Sequence, residues 1–236
     1  MSKTVFVTGA SGGIGREISF HFADAGWNVI CHYNSSKDNI DAMASYFRSK
    51  DIDYHFLKCD FSIDNQFVDF IKKISSYKID SIINNAGISI ICNQMSDIEK
   101  VFKINVFSAM VIVEKCFEKM KNNKFGRIVN ISSIGAKYGS SISTLSYGCS
   151  KRAIEGITKT FAKEGASYNV LVNTVRPGVI DTDFHKNTSK DMNKRVSMIP
   201  VKKMGKPNDI SKIVYMLGSE ENDFITNEII TVAGGE

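Results

Sequence analysis

Short β-branched runs alternate with longer amphipathic stretches along this whole chain, and that alternation leaves few architectures open. Thr4–Thr8, Trp27–Tyr33, Tyr54–Lys58, Ile79–Asn84, Arg127–Ser132, Val170–Val175 and Ile229–Val232 read as strands. Helical patterns fill the gaps at Gly13–Ala25, Asp38–Ser49, Ile63–Ser75, Ser96–Lys121, Ser146–Tyr168 and Pro207–Gly218. In the first of these, Ile14, Ile18 and Phe22 recur four apart on one face, and Gly26 follows as a cap. Thr182–Ile199 is polar and lysine-rich and reads as a flap or short helices. Strands joined by helical crossovers run parallel. The expectation is therefore an α/β fold: a seven-stranded parallel sheet, doubly wound, with helices on both faces.

The 236 residues are 43% hydrophobic and 23% charged, with only three prolines and no Pro/Ser/Gly-rich linker, so one domain spanning 1–236 is expected. The net charge of +5 is spread out rather than gathered into a basic stripe, which argues against a nucleic-acid partner. Five cysteines (31, 59, 92, 116 and 149) form no CxxC pair, which argues against a zinc site and a disulfide framework and for a reducing, cytoplasmic compartment. No stretch approaches a membrane span, and the first residues lack the pattern of a signal peptide.

The first strand ends in Thr8-Gly-Ala-Ser-Gly-Gly-Ile-Gly15, which opens the first helix. Glycines at 9, 13 and 15 let backbone approach a pyrophosphate, and the helix start aims free N–H groups and the positive dipole end at it. In a Rossmann-type sheet the ligand crevice lies where the winding reverses, here beside the ends of strands one and four, at Gly9–Gly15 and Asn84–Gly87. The end of the second strand carries Asn34, Ser35 and Lys37 and no acid before Asp38. A carboxylate there would repel a 2′-phosphate, so NADP(H) is favoured over NAD(H). Asp60 is either an acceptor for an adenine amino group or a turn residue ahead of Ile63.

Tyr147 and Lys151 stand four apart, on one helix face. A nearby ammonium would lower the phenol's pKa from about 10 and let Tyr147 serve as acid in carbonyl reduction and base in alcohol oxidation. Ser132 and Ser133, at the same sheet edge, offer a hydroxyl to orient the substrate oxygen, and Asn105 could complete a water-linked path to Lys151.

In this order the residues resemble the short-chain dehydrogenase/reductase family over almost the whole chain, and within it the beta-ketoacyl-[acyl-carrier-protein] reductases. The resemblance implies a catalytic set of Asn105, Ser133, Tyr147 and Lys151, with Lys151 also binding ribose and Asn105 holding a relay water. It implies cofactor contacts at Gly9, Ser11, Gly12, Gly13, Ile14, Gly15, Asn34, Ser35, Asp60, Phe61, Asn85, Ala86 and Gly87, besides Tyr147 and Lys151. Pro177, Gly178, Ile180 and Thr182 would close over the nicotinamide. It also implies a homo-oligomer, commonly a tetramer, with the two long helices as contact surfaces. Arg127 matches a basic position linked to carrier docking, while Tyr168 stands at the place of a second one. Gly12 stands where NADP-dependent members often carry Arg, Asn227 replaces a usual Gly, and the Ser133–Tyr147 loop is a residue longer and serine-rich. Three functions follow. The first is ketone reduction on an acyl-carrier-bound or small-molecule substrate. The second is dehydrogenation of a sugar, polyol or other small alcohol. The third is a non-catalytic nucleotide sensor.

Overall fold

The computed structural model describes residues 2–35, 37–185 and 191–236. Its strands are β1 (Thr4–Val7), β2 (Asn28–Tyr33), β3 (Tyr54–Lys58), β4 (Ser81–Asn84), β5 (Gly126–Ile131), β6 (Val170–Pro177) and β7 (Ile229–Val232). They form one parallel sheet in the order β3-β2-β1-β4-β5-β6-β7. Winding reverses between β1 and β4, so the crevice lies at their carboxyl ends. The central strands β4 and β5 are buried at every position, and their polar side chains find partners inside: Asn84 Nδ2 donates to Asn130 Oδ1, and Asn130 Nδ2 donates to Thr158 Oγ1.

Helices α1 (Gly13–Asp24), α2 (Lys37–Arg48) and α9 (Pro207–Gly218) cover one face, on a core that includes Ile18, Phe22, Phe47, Val214 and Leu217. The opposite face carries α3 (Asp64–Ile74), α5 (Ser108–Asn122) and α7 (Leu145–Gly165), on a core that includes Phe6, Phe70, Ile112, Met120 and Val172. Short helices α4 (Met95–Phe102), α6 (Ile134–Tyr138) and α8 (Met192–Ser197) lie in the segments that follow β4, β5 and β6. Residues 186–190 of the expected flap lie outside the described residues.

The structure corrects the sequence expectations in three places. The stretch read as one helix over Ser96–Lys121 is α4 and α5 joined by a π-helical turn at Lys103–Phe107. The strand expected to stop at Val175 runs on to Pro177, which stands opposite Val232 of β7. Arg127 is only 2% exposed: its guanidinium donates to the carbonyls of Gly126, Asn169 and Asn222 and lies over the Phe125 ring. It pins the start of β5 from inside and cannot present a charge to a docking protein. Tyr168, by contrast, is exposed and sits under the Lys121 ammonium. Asn227 has φ +65°, the left-handed region that a glycine would fill and that Asn tolerates.

Candidate active site

The glycine turn is built from close approaches. Gly9 has φ +63°, and a Cβ there would lie 2.9 Å from the Ala86 Cα. A Cβ on Gly15 would lie 2.3 Å from the Gly9 carbonyl oxygen, so α1 can start only where no side chain intervenes. Asn85 holds the turn from the β4 side: its amide Nδ2 donates to the carbonyls of Thr8 and Gly9, and the N–H groups of Asn85 and Ala86 donate to Thr8 Oγ1. Asn39 Nδ2 donates to the Ser11 carbonyl from α2. Gly12 is the N-cap of α1, with no side-chain cap and open space where a Cβ would stand. The first turn of α1, at Gly13, Ile14 and Gly15, leaves its backbone N–H groups without helical partners beside the open space at Gly12, which fits an anionic pyrophosphate.

The flanks of the cradle are arranged as follows. Asn34 and Ser35 are exposed at the end of β2, whereas the Lys37 side chain lies outside the described residues. Asp60 Oδ1 accepts from the Ser62 N–H and hydroxyl, and Asn34 is a further hydrogen-bond partner. Partial burial pushes the Asp60 pKa up, but the Ser62 and Asn34 hydrogen bonds and the Lys100 charge outweigh it and leave it lowered. Asp60 thus forms the turn that the sequence offered as one of its two roles. Phe61 is buried, its ring stacked on His32. On the far side Thr182 packs against Gly13, where a Cβ would meet Thr182 Cγ2 at 2.5 Å. Gly178 lies flat on Ala233, and Ile180 is buried and bridged to Gly205.

Ser133, Tyr147, Lys151 and Asn105 come together at the carboxyl end of β5. Ser133 caps α6, its Oγ accepting from the Gly135 N–H, and is a hydrogen-bond partner of the Tyr147 phenol. Its neighbour Ser132 faces the other way, donating to the Lys151 carbonyl at 3.0 Å and to Glu155 Oε1 at 2.8 Å. Glu155 in turn grips Arg176 of β6 through two bonds of 2.6 and 2.7 Å. Of the two serines named from the sequence, only Ser133 reaches the phenol. Lys151 Nζ lies 5.9 Å from the Tyr147 ring centroid and donates to the Ile131 carbonyl at 2.8 Å. A Cβ on Gly87 would lie 3.1 Å from Lys151 Nζ and 3.4 Å from Asn105 Oδ1, so these two groups meet over that glycine. Asn105, fully buried in the π-turn, exchanges bonds with both backbone groups of Ile88 and donates to Ser150 Oγ, which donates to the Tyr147 carbonyl.

The electrostatics differ from the simple expectation that the ammonium lowers the phenol's pKa. Burial pushes Tyr147 up, and the Ser133 hydrogen bond is what opposes it. Burial also pushes Lys151 down to about 8, so the ammonium is held at the edge of ionisation. Two residues escaped the sequence reading: His32, which underlies the glycine turn, and Glu155, which ties α7 to β6. His32 sits mid-pattern in an apolar run, and Glu155 lies four residues beyond Lys151 on the same helix face, a spacing that was there to be read.

The sequence profile of the short chain dehydrogenase family matches residues 3–193, and the chain belongs to that family. It is an oxidoreductase of the CH–OH/C=O class that uses NAD(P). The chain is 31% identical to 3-oxoacyl-[acyl-carrier-protein] reductase FabG of Staphylococcus epidermidis, over 100% of this chain and 99% of that protein. A 3-oxoacyl (acyl-carrier-protein) reductase of Agrobacterium tumefaciens, solved with NADP bound, superposes with a TM-score of 0.90 at 27% identity, covering 99% of this chain and 94% of that one. A candidate NAD(P)-dependent gluconate 5-dehydrogenase of Beutenbergia cavernae does so with a TM-score of 0.91 at 25% identity, covering 99% and 96%.

Proposed function

We propose that this chain is an NADP(H)-dependent reductase of beta-ketoacyl thioesters, in which Tyr147 moves the proton. When bound, the nicotinamide supplies the hydride that joins the carbonyl carbon. Tyr147 gives its phenolic proton to the carbonyl oxygen, so ketone becomes secondary alcohol with one hydride and one proton added. Ser133 hydrogen-bonds the same oxygen and steadies the phenolate that remains. Lys151 binds the nicotinamide ribose and adds positive charge near that phenolate. Asn105 keeps the Ile88 segment and the first turns of α7 in register and orders the water that returns the proton. The cradle of Gly9–Gly15, with Asn85–Gly87 on one side and Pro177–Thr182 on the other, holds the dinucleotide.

The observation that carries the reading is the Ser133–Tyr147 hydrogen bond with the Lys151 ammonium beside the ring. The thioester preference rests on the mouth. Tyr138, Ile142 and Leu145, between Ser133 and Tyr147, are exposed, as is Phe184, whose ring centroid lies 5.9 Å from that of Tyr147. The hydroxyls that favoured a polyol reading from the sequence bond one another: Ser141 Oγ is 2.9 Å from both Ser143 Oγ and Thr144 Oγ1. An apolar rim of this kind suits an acyl chain better than a sugar, whose hydroxyls would each need a partner. NADP is favoured by Asn34 and Ser35 at the end of β2 and by the NADP-bound relative. We extend the proposal to one domain over the whole chain, a homotetramer and a cytoplasmic location; no helix among the described residues is long and apolar enough to cross a membrane.

The test is oxidation of NADPH and of NADH with acetoacetyl thioesters, on a carrier protein and on a small thiol, beside gluconate-type and other polyol substrates. The expected result is turnover of the thioesters with NADPH and negligible polyol oxidation. Polyol turnover with no thioester turnover would replace the substrate half of the proposal.

A further inference from the structure

The glycine turn is held from beneath by a side chain that reaches no ligand. His32 in β2 is 3% exposed. The Gly9 N–H donates to its Nδ1 at 3.1 Å, and the Ala10 N–H donates to its backbone carbonyl at 2.8 Å. Two successive N–H groups of the turn are therefore fixed by one residue. The other ring nitrogen, Nε2, lies 3.0 Å from the Cys59 carbonyl. An imidazole nitrogen that accepts has no proton, so the hydrogen is on Nε2, and that nitrogen donates to Cys59. One neutral tautomer satisfies both partners.

The ring is sandwiched in place. Phe61 stacks on it at 3.9 Å between centroids, 8° from parallel, and Phe70 meets it at 5.4 Å and 70°. Among the titratable groups around it, Asp60 follows Cys59 and favours the imidazolium, whereas Cys31 and Cys59 are neutral thiols pushed up to about 12 and about 11 by burial. Burial outweighs Asp60 and holds His32 at about 4, so Nδ1 keeps its lone pair at neutral pH. The turn cannot slide to compensate for a lost contact, since Gly9 already lies against Ala86.

We propose that His32 is a positioning residue for dinucleotide binding: its Nδ1 fixes the course of the Gly9–Gly13 turn, and its Nε2–H locks that turn to the Cys59–Phe61 segment that follows β3. The proposal rests on the reading of the turn as the pyrophosphate cradle. It assigns to a buried β2 side chain, out of ligand contact, part of the affinity for the cofactor.

The experiment compares His32→Asn with His32→Gln. An Asn carbonyl oxygen falls near the position of Nδ1 and can still accept from Gly9, while a Gln amide falls near Nε2 and can serve only Cys59. Both forfeit the stack on Phe61, so both lose similar thermal stability. Dissociation constants for NADPH and NADH are measured by fluorescence titration without substrate. The expected result is His32→Asn within about threefold of the wild type and His32→Gln weaker by about tenfold or more. In parallel, nitrogen-15 NMR of the wild-type histidines should show His32 protonated on Nε2 alone, with an Nδ1 signal that shifts when NADPH is added. Equal weakening in the two variants, or a proton on Nδ1, overturns the proposal; if neither variant folds, the wild-type spectrum decides. A wild type that binds neither NADPH nor NADH overturns instead the reading of the turn.

Discussion

At the residue scale, Lys151 carries the clearest conflict between stability and chemistry. It is 4% exposed, its ammonium donates one hydrogen bond to the Ile131 carbonyl, and burial lowers its pKa from 10.5 to about 8. The unfolded chain therefore holds the extra proton between those values, and stability rises with pH across that window. Below about pH 8 the full cost of burying the cation is present, on the order of 3 kcal/mol before its hydrogen bond is set against it. Lys151→Met in the ligand-free protein should melt about 3–6 °C above the wild type at pH 7, an advantage that shrinks as the pH approaches 10. Calorimetry at the two pH values checks it; a variant that melts lower at pH 7 would show that the Ile131 bond outweighs the desolvation. The Tyr147/Lys151 spacing was legible because four residues on a helix fix a shared face whatever the tertiary context. The raised phenol pKa was not legible, because burial is a property of the assembled site.

At the element scale, the glycine turn was readable from the sequence since only glycine satisfies contacts as close as Gly15 against the Gly9 carbonyl. The π-turn at Lys103–Phe107 was not. Nothing in a helical period announces one extra residue; within the turn the Asn105 amide bonds both backbone groups of Ile88 and ties the turn to the segment after β4. Helix α6 was also missed, since five residues are too few to show a period, although Ser133 is its N-cap. Asn105→Ala leaves the Ile88 N–H and carbonyl without that partner. We expect a loss of about 2–3 kcal/mol and a Tm lower by about 4–12 °C. Denaturant unfolding with unchanged m-value measures it, and a variant as stable as the wild type would mean that water replaces the amide at no cost.

At the scale of the whole molecule, the order of strands was not deducible from the pattern, and Arg127 was misread because a charge in sequence looks like a surface. Its three carbonyl partners come from residues 126, 169 and 222, which only the finished fold assembles. The two long helical stretches expected to carry subunit contacts enclose a shallow groove between α5 and α7, where Met110, Phe117, Ile157 and Phe161 alternate with Glu114, Glu118 and Thr160, and Gly156 also lines it. A Cβ on Gly156 meets nothing within 4 Å in the single chain. Gly156→Arg should therefore fold normally yet shift the proposed assembly toward smaller species in light scattering. A mass unchanged from the wild type's would remove the α5/α7 face from the proposed assembly.

The most direct test of the central claim is the reaction of Tyr147→Phe with NADPH and an acetoacetyl thioester. The phenyl ring keeps the packing and removes only the hydroxyl, and with it the proton and the bond to Ser133. The account predicts turnover lower by about 10²–10⁴-fold, with the NADPH dissociation constant within about threefold of the wild type. A variant that reduces the ketone at a rate near the wild type's would show that the proton comes from elsewhere.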